Sequence, residues 1–258
     1  MLRVGACQTP ELLEDVPAAL AVVESFASAE QATGVDLLLF PECFLQGYLV
    51  TGDYLARTAF DLDSPEFGDV LARLAPLRQT LVLGLIERDG SRFFNAAVVI
   101  TRGELIGVYR KTHLTAGERA FTPGAEYPVF DLNGVRFGLN ICHDTRFSEA
   151  ARAVAAQGAG LLLVPAQNMM GRAKADFWRP LHNAIRAERA RETGMWLISA
   201  DVTGERDGQR VGLGPTSVIS PDAVVVAQVP LTTVGMVTAD IRPPDISPAP
   251  RSSEPARA

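Results

Sequence analysis

Nine short runs rich in Leu, Val and Ile recur along the chain, and their length more than anything else limits what it can fold into. They are LRVGACQ, DLLLFPE, TLVLGLIE, NAAVVIT, RFGLNICHD, GLLLVPA, GMWLISAD, PTSVIS and VGMVTAD. Apolar runs of this size, bounded by polar or turn residues, read as strands. Between several of them lie longer stretches with helical spacing, notably PAALAVVESFASAEQA, PEFGDVLARLAPLR, EAARAVAAQG and HNAIRAERARETG. Strands that first alternate with helices and later pair with one another imply an α/β protein built in layers, with helices covering sheets. Asp-Gly in ERDGSRFFN and Arg-Gly in ITRGELIGVY are hairpin signals, so the middle of the chain should be antiparallel or mixed sheet.

With 258 residues, nearly half of them hydrophobic, the chain can bury a large core, and one domain over residues 1–241 is expected. From residue 242 the composition turns to Pro, Ser and Arg, which cannot build a packed core, so 242–258 reads as a flexible C-terminal tail. A formal charge of −6 and a pI near 5.2 argue against a nucleic-acid partner, which needs Lys and Arg gathered opposite phosphates. The N-terminus MLRVGACQTP lacks the charged region, long apolar core and cleavage site of a signal peptide. No stretch approaches the ~20 apolar residues that cross a bilayer, so no membrane association and a cytoplasmic location are expected. Cys7, Cys43 and Cys142 are too few and too scattered for a disulfide framework or a zinc cage, which fits a reducing compartment.

Cys142 ends the apolar run VRFGLNI and precedes a polar turn leading into a helix. A nucleophile on such a turn is exposed at a sheet edge. A nearby helix N-terminus would lower its pKa from the usual ~8.5 and offer N–H groups to an anion. An isolated cysteine at such a place is also often just a buried structural residue. Glu42, in DLLLFPECFLQGY, is either a solvated loop acid or a general base whose pKa is raised by apolar neighbours Phe40, Phe44 and Leu45. Lys111, in GVYRKTHL beside Arg110, is either a surface charge or a positioned cation. The histidines narrow the choice. Only His113, His143 and His182 exist, and none lies far downstream of Cys142 as a papain-like pair requires. His143, adjacent to Cys142, should point away from the thiol along extended backbone. A cysteine nucleophile here therefore needs a base other than histidine. No H-E-x-x-H or comparable Asp/His ligand cluster is present, so no metal is expected.

Together the segments FPECFLQGY, YRKTHL and GLNICHDTRFSEAAR resemble the Glu, Lys and Cys motifs of the nitrilase, or carbon–nitrogen hydrolase, superfamily, in the same order and 69 and 31 residues apart. The resemblance extends to VGACQTP, LLLVPAQN, RARETGMWLISAD and GPTSVISPDAVVVAQ, nearly the whole chain before the tail. It implies a four-layer α-β-β-α sandwich that pairs into a homodimer or larger homo-oligomer. It also implies a cofactor-free hydrolase of carbon–nitrogen bonds in a small molecule. Carried over residue by residue, Glu42 is the general base and Cys142 the nucleophile that forms a thioester. Lys111 with the His143 N–H steadies the oxyanion, and Glu118 in TAGERAF is the second glutamate that positions substrate and tunes Lys111. Glu126 lies in the same connection.

True nitrilases of this superfamily usually carry Trp-Glu after the cysteine; His143-Asp144 here favours an amide or N-carbamoyl substrate over a nitrile. An inactive binding protein of the same fold would have lost a reacting residue, and all are present. His143, Asn168 and Met169 are the expected substrate-binding residues, with Met170 beside them, because loops leaving strand ends line pockets in layered folds. Arg189 is expected to tie the core, and Arg146 to be structural or solvated. Phe177 and Trp178 are expected at a pocket or a subunit interface.

Overall fold

DLLLF and GLLLV are apolar at successive positions, which a strand tolerates when both of its faces are buried. The computed structural model describes residues 1–242 and shows how that burial is met. In the first half of the chain lie β1 (Leu2–Pro10), α1 (Val16–Ser28), β2 (Leu37–Leu39), α2 (Gly52–Thr58), α3 (Pro65–Leu74), β3 (Thr80–Asp89), β4 (Arg92–Thr101) and β5 (Glu104–Arg110). Next come β6 (Val129–Leu132), β7 (Val135–Leu139), α4 (Ser148–Ala155), β8 (Leu161–Pro165), β9 (Met169–Gly171) and α5 (Arg172–Thr193). The last elements are β10 (Trp196–Ala200), β11 (Val202–Arg206), β12 (Arg210–Leu213), β13 (Ser217–Ile219), β14 (Val225–Gln228) and β15 (Gly235–Ile241). All nine apolar runs contain a strand.

Two sheets result. One runs β5-β4-β3-β2-β1, with β15 antiparallel to β1, and the other runs β14-β13-β10-β8-β7-β6. Side chains alternate across each strand. Leu37 and Leu39 enter the core between the sheets, and Leu38 joins the cluster beneath α1 and α3. In β8, Leu161 and Leu163 face inward, while Leu162 and Val164 face Ala151, Val154 and Ala190 of α4 and α5. Each strand run is thus apolar at both parities because a sheet covers one face and a helix the other. The expected four-layer α-β-β-α sandwich is the architecture formed.

Local chemistry sets the element ends. Asp15 caps α1 by accepting from the Ala18 N–H at 3.0 Å, Ser64 caps α3 through the Phe67 N–H at 3.2 Å, and Pro17 and Pro65 occupy first-turn positions. Gly194, with φ of 70°, closes α5 in the left-handed conformation that favours glycine. Both hairpins form. The first turns through Gly90 and Ser91 after the Asp89–Arg92 pair, and the second through Arg102 and Gly103, both at positive φ.

The structure departs from the sequence expectation in two places. α5 begins ten residues before HNAIRAERARETG and carries Pro180 inside it. Residues 172–181 lack a helical apolar stripe because most face solvent, Phe177 being 64% exposed. β11, β12 and β9 extend the first sheet beyond β1, joined to it by two parallel pairs, Thr9–Val202 and Pro10–Thr203. Their short sequences, VTGER, RVGL and MMG, carry little alternation to read. The expected tail lies outside the described residues apart from Arg242. Among the described residues no helix is long and apolar enough to cross a membrane.

Leu163 is fully buried between the sheets, flanked by Leu139 of β7 and Ile198 of β10. Leu163→Ala should lower the unfolding free energy by about 2–5 kcal/mol, the cost of an unfilled core cavity. Urea denaturation checks this, and a loss under 1 kcal/mol would contradict the packing described.

Candidate active site

Parallel strands deliver their C-terminal ends to one edge of a sheet, where loops can converge. Glu42 lies three residues past β2, Lys111 directly after β5, Cys142 three residues past β7, and Asn168 three residues past β8. A backbone hydrogen bond from Glu42 N to the Ala166 oxygen at 3.2 Å ties the loop of one sheet to that of the other. All four residues line one open cavity of about 670 Å³.

At its floor the Lys111 ammonium sits between two carboxylates. Nζ donates to Glu42 Oε1 at 2.7 Å and to Glu118 Oε1 and Oε2 at 2.9 and 3.0 Å. Asn95 Nδ2 donates to the same two carboxylates at 2.7 and 2.8 Å. Glu42 Oε2 accepts the Gln167 N–H at 3.0 Å, and Glu118 Oε2 accepts the Thr115 N–H at 2.6 Å. All three charged residues are at most 1% exposed. Glu118 joins this cluster, and Glu126, in the same connection, is exposed.

One cation cannot fully compensate two buried anions. Burial opposes ionisation of Glu118, but Lys111, the Thr115 N–H and Asn95 outweigh it, and its pKa is lowered. Burial dominates at Glu42, where the Glu118 charge adds to it against the pull of Lys111, and the pKa is raised. The expected direction is met for a different reason than expected, since Phe40, Phe44 and Leu45 belong to the helix-facing core. Burial would neutralise Lys111, yet the two carboxylates hold its pKa well above the ordinary value.

Cys142 opens a single 3-10 turn, Cys142–Arg146, at φ of 45°. α4 starts at Ser148, so the expectation of a helix N-terminus lowering the thiol pKa is not met. Burial and the neighbouring Glu42 charge instead push that pKa well up, against Lys111 and the Gln167 backbone. The raised pKa favours the protonated thiol. Among the described residues the backbone N–H of His143 makes no hydrogen bond. The His143 ring lines the cavity and packs edge-on to Phe147 at 5.3 Å.

Asp144 holds this turn. Its buried carboxylate accepts from the Ile141 N–H at 2.8 Å, the Tyr109 hydroxyl at 2.7 Å, the His113 N–H at 2.7 Å and the Thr112 hydroxyl at 3.1 Å. These bonds fasten the Cys142 turn to the segment carrying Lys111. Burial opposes ionisation of Asp144, but its hydrogen bonds and Lys111 lower the pKa overall.

Asn168 faces the thiol, its Oδ1 4.0 Å from Sγ. Its position is set by Asp201, which accepts from the Asn168 N–H at 2.9 Å and from Nδ2 at 2.6 Å and lies 3.6 Å from Arg186. A Cβ on Gly214 would meet Asp201 Oδ2 at 2.1 Å, and one on Gly84 would meet the Pro41 oxygen at 2.2 Å and Glu42 Cα at 2.7 Å. Glycine at both positions lets the supporting backbone approach. Met169, Met170 and Trp178 also line the cavity, as does Arg146, while Arg189 is buried and pairs with Glu188 and Glu192. Sequence reasoning missed Asn95, Asp144, Asp201 and Arg186 as site residues. Asn95 offered one signal, a lone amide heading an apolar run; the others become conspicuous only through burial.

A family model described as carbon–nitrogen hydrolase matches residues 3–251. An (R)-stereoselective amidase of a Pseudomonas species is 34% identical over 196 residues, covering 76% of this chain and 69% of the relative. A nitrilase of Pyrococcus abyssi is 31% identical over 234 residues, covering 88% and 84%. Among solved structures, a nitrilase-superfamily amidase of Nesterenkonia AN1 is similar with a TM-score of 0.79 and 26% identity, over 93% of this chain and 90% of that one. Another structure of the Nesterenkonia amidase, also at TM-score 0.79 and with 25% identity over 94% of each chain, shows acrylamide added to its active-site cysteine.

Asp144→Asn replaces an anion that four donors surround. It should cost at least about 1.5–3 kcal/mol, the worth of one hydrogen bond to a charged group. Because the folded-state pKa is lowered, the wild-type advantage is full above the unfolded pKa of ~3.9 and disappears as pH falls through the folded value. Urea unfolding of both proteins across that range tests the sign. An advantage that grew on acidification would be inconsistent with an ionised Asp144.

Proposed function

The chain belongs to the carbon–nitrogen hydrolase family, and on that premise we propose that it cleaves an amide-type bond of a small molecule through a thioester on Cys142. The observation that carries this reading is one buried cation on the floor of the cavity that Cys142 lines, shared by Glu42 beside it and Glu118 behind it. Protonated thiol and basic carboxylate are complementary. Glu42 takes the Cys142 proton as sulfur attacks the carbonyl carbon, and the C=O electron pair moves onto oxygen.

Charge balance explains the role of Lys111. When Glu42 becomes neutral, the negative charge passes to the oxyanion, and Lys111 with the unpaired His143 N–H stabilises it there. Glu118 stays anionic and keeps Lys111 in place. Collapse breaks the C–N bond, Glu42 returns its proton to the leaving nitrogen, and a thioester remains. Glu42 then deprotonates water, which attacks the thioester. The acid departs as the thiol recovers its proton. The His143-Asp144 pair after the cysteine favours amide or N-carbamoyl over nitrile substrates, and the protomers pair into a homodimer or a larger homo-oligomer.

Cys142→Ala should release no ammonia from a panel of amides and N-carbamoyl amino acids and form no covalent adduct by mass spectrometry. Equal ammonia from both proteins would sink the thioester, and faster turnover of a nitrile than of its matching amide would reverse the substrate order. Glu42→Gln should lose roughly 10²–10⁴-fold in kcat. For the wild type, kcat/KM should rise with pH as Glu42 loses its proton, with a midpoint above ~4.3 because its pKa is raised. Asn95→Ala removes a donor that favours the ionised form and should move that limb to higher pH; a pH–rate profile with an unmoved limb would deny Asn95 this tuning role.

A further inference from the structure

The rim of the cavity differs in charge from its floor. On the floor Lys111 is balanced by Glu42 and Glu118, and Arg186 by Asp201. Around the rim Arg146, Lys174 and Arg210 line the same space, and all three are exposed. Among the described residues none of the three has a carboxylate within 4 Å, whereas Arg57, Arg73, Arg92, Arg136 and Arg172 elsewhere on the surface each have one. Among the described residues that line the cavity Glu42 is the single carboxylate, since Glu118 and Asp201 contact Lys111 and Arg186 without lining it. In a chain of net charge −6, three unpaired cations from three separate elements around one opening make a local positive field.

The arrangement also runs against helix preference. α5 opens with Arg172 and Lys174 and has no acidic residue in its first turn, where the helix dipole favours anions. Arg146 is held over the face of Trp178, 5.1 Å from the ring centroid, which keeps its guanidinium at the cavity instead of trailing into solvent. Burial holds the His143 and His182 pKa values down, His182 to about 3, and the Lys111 and Arg146 charges press His143 further, so both rings are neutral and the rim cations are the groups left to meet a charge. The volume, about 670 Å³, exceeds what a short aliphatic amide fills, and Met169, Met170 and Trp178 supply apolar wall.

We propose that the substrate carries an anionic oxyacid group, carboxylate or phosphate, at the end remote from the scissile bond, and that Arg146, Lys174 and Arg210 select it. The bond cleaved rests on the amide-hydrolase reading above; the anion selectivity stands on the rim.

The test compares three amides of equal length that end in a carboxylate, a phosphate ester or a neutral group. At low salt, kcat/KM for one anionic amide should exceed that for the neutral one roughly tenfold or more, and the ratio should shrink as ionic strength rises. Whichever anion gains more identifies the group. Arg146→Gln, Lys174→Gln and Arg210→Gln should each lower the anionic-to-neutral ratio severalfold. A second readout needs no turnover. Alkylation of Cys142 by iodoacetate relative to iodoacetamide, followed by mass spectrometry and referred to the same ratio for free cysteine, should be raised in the wild type and fall in each variant. A neutral amide preferred over both anions, or ratios unchanged in all three variants, would overturn the anion selectivity while leaving amide hydrolysis intact. If no amide were cleaved, the hydrolase reading would fall, and the iodoacetate ratio would still decide the rim.

Discussion

The ammonium of Lys111, buried between Glu42 and Glu118, is the interaction on which the rest of the site depends. Removing one partner from a buried ion pair typically costs 3–5 kcal/mol, so neither carboxylate can be held in this interior without the cation, nor the cation without them. The sharing is unequal. Glu118 receives both a two-oxygen contact from Lys111 and the Thr115 N–H, while Glu42 has one contact from Lys111 and spends its other oxygen on Gln167. That inequality separates two chemically identical carboxyls, one with its pKa lowered and the other with its pKa raised, and Asn95 bridges them.

Such a cluster needs a rigid frame, and the two-sheet architecture provides it. Glu42 and Lys111 come from the first sheet, Cys142 and Asn168 from the second, and the bond between Glu42 N and the Ala166 oxygen locks the sheets at the edge where their loops meet. Two of the non-glycine residues at positive φ lie there too. Cys43 and Cys142 both take positive φ, 47° and 45°, which side chains other than glycine adopt at a cost, and Asp144 and the Gly84 contact hold the turns that impose it. Two helix-covered sheets thereby hold a thiol, a carboxylate and a cation in fixed relation.

From floor to rim the cavity changes character. Charges at the floor are paired and buried, while those at the rim are exposed and, among the described residues, have no carboxylate within 4 Å. The first arrangement suits bond breaking, where reorganisation is costly. The second suits selection among molecules arriving from solvent.

The layered class was legible in the primary structure, because short apolar runs first alternate with helical stretches and later pair with one another; DLLLF and GLLLV, apolar at both parities, fit strands buried on both faces. Its motif resemblance also singled out Glu42, Lys111, Glu118 and Cys142, whose signals lie in short local segments. Other properties depend on partners far away in the chain. The direction of the Cys142 shift could not be read locally, because it is set by burial and by a carboxylate one hundred residues earlier, and it opposes what a nearby helix start implied. Asn95, Asp144, Asp201 and Arg186 are ordinary polar residues in the sequence and become site residues through burial. The start of α5 lay hidden because its first ten residues carry no apolar stripe. Periodicity records which faces of an element are buried; it holds no record of which charges meet, because those charges come from distant segments that only folding brings together.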